Sequence, residues 1–432
     1  MPARQTSLPA RIRIPLVFCV GVVLAFVGSV NATAGPPNVV LIISDDQAWN
    51  DYGFMGHQVV QTPHLDALAR QSALFPRGYV PSSLCRPSLM TMITGLYPHE
   101  HGITGNDPPR GTDRQEMLKH IKAATTLPEL LAEQGYLSLQ TGKWWEGSPR
   151  LAGFTHAMTH GDPQRGGRHG DLGLKIGREG LQPIADFLDA CDGRPFFLWY
   201  APFLPHSPHN PPARLLSKYR SPDRSIHVAR YYAMCEWFDE TCGQLLQMLD
   251  DRRLSDNTLV IYVADNGWIQ STNSRRYAPR SKRSPFDGGL RTPIMLRLPQ
   301  TIEPARFEMP VSSIDLAPTI LAACGMTPTA DMSGLNLLDI CIGNAKQRST
   351  VYGEIFEHDV VDIDQPAASL QYRWVIEGHW KLILPHSGGD AALFNLADDP
   401  FEMRNLAAER SGLVGRLKQQ TNAWWTVGQN GE

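Results

Sequence analysis

Four oxygen-bearing side chains mark the chemistry this sequence could support. Asp45 and Asp46 close the apolar run NVVLIISDD, and Asp265 and Asn266 close LVIYVADN, far downstream. Three carboxylates and one amide carbonyl are hard donors that suit calcium or magnesium better than zinc. Each motif alone is an ordinary post-strand turn, where Asp, Asn and Gly are common. As two polar pairs at strand ends of one α/β arrangement, they favour a metal site. Cys85, in PSSLCRPSLMTMITG, opens a helical pattern that Gly95 stops. A thiol at a helix N-terminus is placed for a depressed pKa and nucleophilic use. Lys143 in TGKWWEG and Lys282 in SKRSPFDGG lie on turn-rich loops, where a lysine can meet an anionic oxygen instead of only solvent. His206 in PHSPHNPP follows a buried apolar run, a reasonable place for a general acid. With His209 it makes an H-x-x-H pair, but that spacing in a proline-rich loop is weak support for a transition metal.

These residues need a scaffold that brings strand ends together. The runs PNVVLIISDDQ, PFFLWYAPF, TLVIYVADNG and TPIMLRLP read as buried strands. Helical periodicity appears in TPHLDALARQSALF, TTLPELLAEQG, the long ARYYAMCEWFDETCGQLLQMLDDRRL and SSIDLAPTILAACG. Strands alternating with helices predict an α/β domain with a large, mostly parallel sheet flanked by helices, over residues 35–345. In such sheets ligands bind at the carboxyl ends of strands, where Asp45, Asp46, Asp265 and Asn266 fall. From about residue 346 the texture changes. STVYGEIF, YRWVIEGHWKLILP and AALFNLADD predict antiparallel strands, followed by a helix from roughly 408 to 425. Residues 346–432 thus read as a smaller α+β domain.

At 432 residues the chain exceeds one ordinary core, in keeping with a large domain plus a small one. Its formal charge of −3 gives no electrostatic case for nucleic acid. Residues 1–34 have a secretory layout: Arg4, Arg11 and Arg13, the apolar run IPLVFCVGVVLAFVGSV, then Ala32 and Ala34 as an A-x-A site. Cleavage after Ala34 would release a periplasmic or secreted protein with no stable membrane insertion. Cys19 would leave with the leader. Cys191, Cys235, Cys242, Cys324 and Cys341 are scattered with no C-x-x-C pair, which argues against structural zinc and a disulfide framework.

Taken together and in order, NVVLIISDD, YVPSSLCRPSLMTMITGLYPHEHG, TGKWW, PHSPHNPP, YVADNG and FDGGLRTPIMLRLP resemble the formylglycine-dependent sulfatases of the alkaline-phosphatase-like superfamily. LFNLADDPFEMRNLA, at 393–407, is similar to that family's C-terminal signature. The resemblance covers nearly the whole length after the leader and implies an alkaline-phosphatase-like fold. It implies that a maturation enzyme oxidises Cys85 to formylglycine, whose hydrated aldehyde attacks the sulfur of a sulfate ester. The sulfated enzyme would then eliminate sulfate and regenerate the aldehyde. The implied metal is Ca2+, with Mg2+ possible, held by Asp45, Asp46, Asp265, Asn266 and the modified Cys85. Lys143 and Lys282 would clamp sulfate oxygens and His206 would protonate the leaving alcohol. The implied substrate is a sulfated small molecule or glycan.

Two positions depart from the family pattern. The motif C-x-P-S-R here reads CRPSL, with Leu89 in place of the arginine, and Arg86 is a candidate substitute. GKWHLG reads GKWWEG, placing Trp145 where a histidine assists elimination; an indole donates one hydrogen bond but is no general base. His99, His101, His160 and His169 are candidate replacements, and His169 best matches the spacing of another family histidine. The departures leave two alternatives to a sulfatase: another hydrolase of the superfamily, acting on phosphodiesters or phosphonates, or a sulfate-binding homologue without turnover. Asp265–Asn266 and Cys85 speak against a two-zinc relative, which carries Asp–His and a Ser or Thr nucleophile. The retained cysteine, lysines and metal set speak against loss of turnover.

Overall fold

A computed structural model describes residues 1–3, 5, 35–345 and 347–427. The apolar run and Ala34 cleavage site of the expected leader lie outside these residues. Among the described residues no helix is long and apolar enough to cross a membrane.

The organising element is β1 (Asn38–Ser44), whose seven residues are all buried. Side chains alternate across a strand, and both faces of β1 are covered. Val39, Leu41 and Ile43 join one apolar core with Met90 and Ile93 of the helix Cys85–Thr94. Val40 and Ile42 join a second core with Met234, Phe238 and Leu245 of the helix Ile226–Asp251. Dual burial of this kind explains why the strand reads as an unbroken apolar run.

The large sheet also contains β2 (Ala73–Tyr79), β3 (Leu137–Gly142), β4 (His156–Ala157), β5 (Phe196–Ala201), β6 (Thr258–Ala264), β7 (Arg291–Arg297), β8 (Ala305–Arg306) and β9 (Val311–Ser312). Its order is β4-β3-β5-β1-β6-β7-β2-β8, with β9 also on β2. Pairings are parallel except where β7 runs against β6 and β2. A second, antiparallel sheet holds β10 (Thr350–Phe356), β11 (Leu370–Glu377), β12 (Trp380–Pro385) and β13 (Ala392–Asn395). Trp374 and Ile376 of β11 face the first core, while Val375 faces Leu417 of the helix Ser411–Trp424.

One predicted helix is shorter than expected. The periodicity of TPHLDALARQSALF predicts a helix throughout, but the helix ends at Arg70 and Ala73 begins β2. Ala73, Leu74 and Phe75 pair with β7, and this ladder, not local propensity, decides their state.

Candidate active site

The sheet register explains how distant residues meet. Ser44 of β1 pairs in parallel with Ala264 of β6, so the Asp45–Asp46 and Asp265–Asn266 pairs leave the sheet side by side. The Asp265 amide donates to the Ser44 carbonyl at 2.8 Å. The Asp46 amide donates to Asp265 Oδ1 at 3.0 Å. Asp46 adopts left-handed backbone, with φ 64°, a conformation uncommon outside glycine and found at sites where position outranks local comfort. Lys143 follows β3, which pairs with β5 through Gly142 and Ala201. A Cβ on Gly142 would lie 1.8 Å from the Ala201 carbonyl oxygen, so only glycine lets Lys143 leave the sheet here. His206 arrives on the loop after β5. Lys282 arrives on the long connection between β6 and β7, and Cys85 is the first residue of its helix.

All these side chains converge. Cys85 Sγ lies 3.1 Å from Lys143 Nζ, 3.0 Å from Lys282 Nζ and 3.4 Å from Asn266 Oδ1. Lys143 donates to Asp45 Oδ1 at 2.5 Å and stands 3.6 Å from Asp265 Oδ2. Lys282 donates to Asp46 Oδ1 at 2.5 Å, and the same oxygen accepts from Asn266 Nδ2 at 2.7 Å. His206 Nε2 is 3.4 Å from Asp46 Oδ2, and its Nδ1 donates to the Ser207 carbonyl at 2.5 Å. Cys85, the acids, Asn266 and both lysines are buried, and His206 is partly exposed at the rim.

The electrostatics run against a thiolate. Burial pushes the Cys85 thiol up to about 12, even with Lys143 and Lys282 pulling the other way. The depressed pKa expected from its helix position is therefore overturned: one turn of helix dipole loses to desolvation and nearby carboxylates. Burial works against the charge of Lys143, but Asp45, the Cys85 sulfur and Asp265 outweigh it and hold its pKa well above the usual range. Burial also opposes ionisation of Asp46, yet Lys282 and His206 keep its pKa well below the ordinary carboxylate value. Burial, then Lys143, drives His206 well down, so its resting state is the neutral imidazole.

Three buried carboxylate oxygens, Asp45 Oδ2, Asp46 Oδ2 and Asp265 Oδ2, have no hydrogen-bond partner among the described residues. Orphaned anionic oxygens are costly, and a cation relieves the cost. Asp45, Asp46, Cys85 and His206 also offer ligand atoms all within 4.8 Å of one another. The donor set fits a hard divalent ion, and His206, expected as a proton donor that also binds substrate, lies within the same reach.

Of the four candidate histidines, His99 is held by Glu354, His101 by Thr91 and His160 by Asp171. The His169 ring packs at a tilt against Trp145, with centres 5.3 Å apart, and against Phe203, at 5.5 Å. Burial, then Lys143, lowers it to about 4. Arg86 is no stand-in for the motif arginine. Its guanidinium is buried and spent on Glu146, at 2.5 and 2.7 Å, and on the Gly105 and Met117 carbonyls. Leu89 fills apolar core beside Cys85. Sequence reasoning missed Phe203, which touches the rings of both His206 and His169 and sits 5.8 Å from Lys143 Nζ. It ends a strand pattern, so nothing local distinguishes it from core.

A sequence profile described as Sulfatase matches residues 37–326, and one described as N-sulphoglucosamine sulphohydrolase, C-terminal, matches 278–423. The chain belongs to the sulfatase family. N-acetylgalactosamine-6-sulfatase of Canis lupus familiaris is 30% identical to this chain over 71% of the chain and 66% of the relative. The human form of that enzyme is 30% identical over 70% and 65%. Human arylsulfatase A is 29% identical over 73% and 69%. The chain thus spans just under two thirds of the length of the curated relatives it matches. In fold it is similar to the PsFucS1 sulfatase from Pseudoalteromonas sp., with TM-score 0.71, 18% identity and 92% of each chain covered. It is likewise similar to the phosphonate monoester hydrolase of Agrobacterium radiobacter, with TM-score 0.70, 19% identity and 90% and 95% covered.

Proposed function

We propose that this sulfatase hydrolyses a sulfate ester, on a carbohydrate, outside the cytoplasm. The observation that carries the reading is a buried side chain, Cys85, clasped between two lysines and faced by three orphaned carboxylate oxygens. Cys85 Sγ marks the place of the oxygen that formylglycine would bear after maturation. Formylglycine would supply an oxygen nucleophile, and a divalent cation held by Asp45, Asp46, Asp265 and Asn266 would neutralise sulfate charge and favour ionisation of that nucleophile.

The chain's own residues divide the remaining work. Lys143 and Lys282 stay charged and are placed to bind and orient the ester's non-bridging oxygens. Counted formally, three carboxylates against two lysines leave the pocket one net negative charge, and burial, opposed by Lys143, raises the Asp45 pKa until a cation relieves it. A divalent cation makes the pocket one positive, the counterpart of a singly charged sulfate monoester. A phosphate monoester near neutrality carries more charge than this pocket balances. His206 keeps a proton on Nδ1 against the Ser207 carbonyl, leaving Nε2 unprotonated at the rim, 3.4 Å from Asp46 Oδ2. An anionic ester raises its proton affinity, so the form that protonates the leaving alcohol builds up with substrate in place. His169, held neutral by burial and Lys143, is our candidate to accept a proton in place of Trp145.

A maturation enzyme is the implied partner. Its action is read directly by mass spectrometry of the Cys85 peptide from a host that makes formylglycine. The expected product has oxygen in place of sulfur and lacks two hydrogens; a fully unmodified thiol would sink the formylglycine step. Turnover of 4-nitrophenyl sulfate should exceed that of 4-nitrophenyl phosphate and collapse with EGTA. Preference for phosphate would favour the phosphodiesterase and phosphonate branch instead. The extracytoplasmic location draws on the leader-like pattern of residues 1–34 and is tested by N-terminal sequencing of exported protein.

A further inference from the structure

One residue beyond His206 a cavity of about 680 Å³ opens, and the roles above leave it unused. Ser207, whose carbonyl fixes the His206 ring, forms part of its wall. His209, on the same loop, meets Trp268 edge-on with ring centres 5.8 Å apart, and the Trp268 ring in turn lies 5.9 Å from Lys282 Nζ. The cavity therefore opens beside His206, through the loop that carries Ser207 and His209. The rest of the lining includes Asn210, His227, Arg230 and Arg275.

This lining has one electrostatic sign. None of its described residues is acidic. Nearby Arg214 is held by Glu240, and Arg224 donates to the Tyr219 carbonyl, but among the described residues neither Arg230 nor Arg275 pairs with a carboxylate. His209 Nε2 and His227 Nδ1 are buried without a hydrogen-bond partner. His227 and Arg230 occupy the start of the 26-residue helix Ile226–Asp251, which has no acid in its first turn. The Arg230 guanidinium opposes the helix dipole there and gains nothing from the helix. Unpaired guanidiniums, partnerless ring nitrogens and a helix N-terminus together form an arrangement that an anion completes.

We propose that this cavity is a second anion subsite, which takes a carboxylate or a second sulfate on the alcohol side of the ester. The preferred substrates are then polyanionic saccharides, not singly sulfated ones. This deepens the sulfatase reading and rests on it: the first anion sits at Cys85, and the leaving alcohol extends past His206 into the cavity.

The test is calorimetric binding to the full chain, which needs no turnover. The probes are N-acetylgalactosamine 6-sulfate, N-acetylgalactosamine 4,6-disulfate and the disaccharide of glucuronate with N-acetylgalactosamine 6-sulfate. At least one two-anion probe should bind the wild-type protein at least tenfold more tightly than the one-anion probe, and which one does so tells sulfate from carboxylate. In the Arg230→Gln/Arg275→Gln protein that advantage should fall to less than threefold. Arg275 is exposed, so the single Arg275→Gln protein keeps the test open should the double variant fail to fold, and Arg275→Lys should recover part of the loss. Equal binding of all probes by the wild type, or an advantage that survives Arg275→Gln undiminished, overturns the subsite. Failure to hydrolyse 4-nitrophenyl sulfate would instead strike the sulfatase reading and leave the binding result standing.

Discussion

At the residue scale the site is a balance of buried charges. Removing one lysine from the clasp leaves a carboxylate unopposed and an ester oxygen without its cation. Lys143→Ala and Lys282→Ala should each lower kcat on an aryl sulfate by about 10²–10³-fold, the range for losing one preorganised electrostatic group. Steady-state kinetics with a matched circular-dichroism melt separates this from unfolding, and a loss under threefold would remove either lysine from the site. A different buried acid reports on stability. Burial lifts Asp51 to about 7, with a Tyr231 hydrogen bond opposing. A carboxyl raised in the fold contributes stability below its unfolded pKa near 4 and loses it as pH climbs through 7. Asp51→Asn should therefore gain on the wild type as pH rises, by roughly 1–2 kcal/mol between pH 5 and 7, seen in urea melts at both. A constant gap would show that Asp51 ionises freely. The acid pairs were legible in sequence because each ends an unmistakable apolar run. The high pKa of the Cys85 thiol was not, because it depends on burial by elements far away in the chain.

At the element scale, legibility followed how much of a strand's burial is apolar. β1, β5 and β6 announce themselves; β3, LSLQTG, does not. Its buried Gln140 donates to the Gly142 carbonyl and accepts from the Thr159 amide, so a polar residue sits in the sheet at no visible cost. β2 is masked by Pro76 and by the register shift between Phe75 and Gly78. Another contact, invisible locally, joins the two sheets. The Pro81 carbonyl, just ahead of Cys85, accepts from the Glu354 amide at 2.9 Å and from the Trp374 indole at 3.1 Å. Gly353 lies against it: an added Cβ would be 2.2 Å from the Pro81 oxygen and 2.3 Å from the Trp374 ring. Backbone on one side and a packed indole on the other leave little room to yield. Gly353→Ala should cost about 1–3 kcal/mol in chemical denaturation and lower turnover as the Pro81–Cys85 segment shifts. Wild-type kinetics in the variant would uncouple that segment from the second sheet.

At the scale of the whole molecule, the antiparallel sheet is tied by buried contacts to the loops that carry the candidate site. The four strands were readable from alternation and turns, but Lys381, in WKLILP, looks in sequence like a residue on an exposed strand face. It is instead fully buried, 2.8 Å from Asp287 Oδ1 and 2.8 Å from Glu402 Oε1. Glu402 also accepts from the Asp287 amide at 2.7 Å, and Arg280 donates to the Glu402 carbonyl. Lys381 of β12, the DPFEM segment and the turn that carries Lys282 thus meet in one ion cluster. Breaking a buried pair from one side leaves uncompensated charge and costs about 3–5 kcal/mol, whereas removing both signs together is far milder. Lys381→Ala should lose stability in that range and lose turnover through displacement of Lys282, although it lies outside the catalytic pocket. Lys381→Met combined with Glu402→Gln should recover much of the stability. Recovery of activity in the same double variant would show that charge balance, and not the ammonium itself, holds the Lys282 loop in place. If Lys381→Ala melts like the wild type in urea, the second sheet does not brace the site through this cluster, and the Pro81 contacts remain as the link between them.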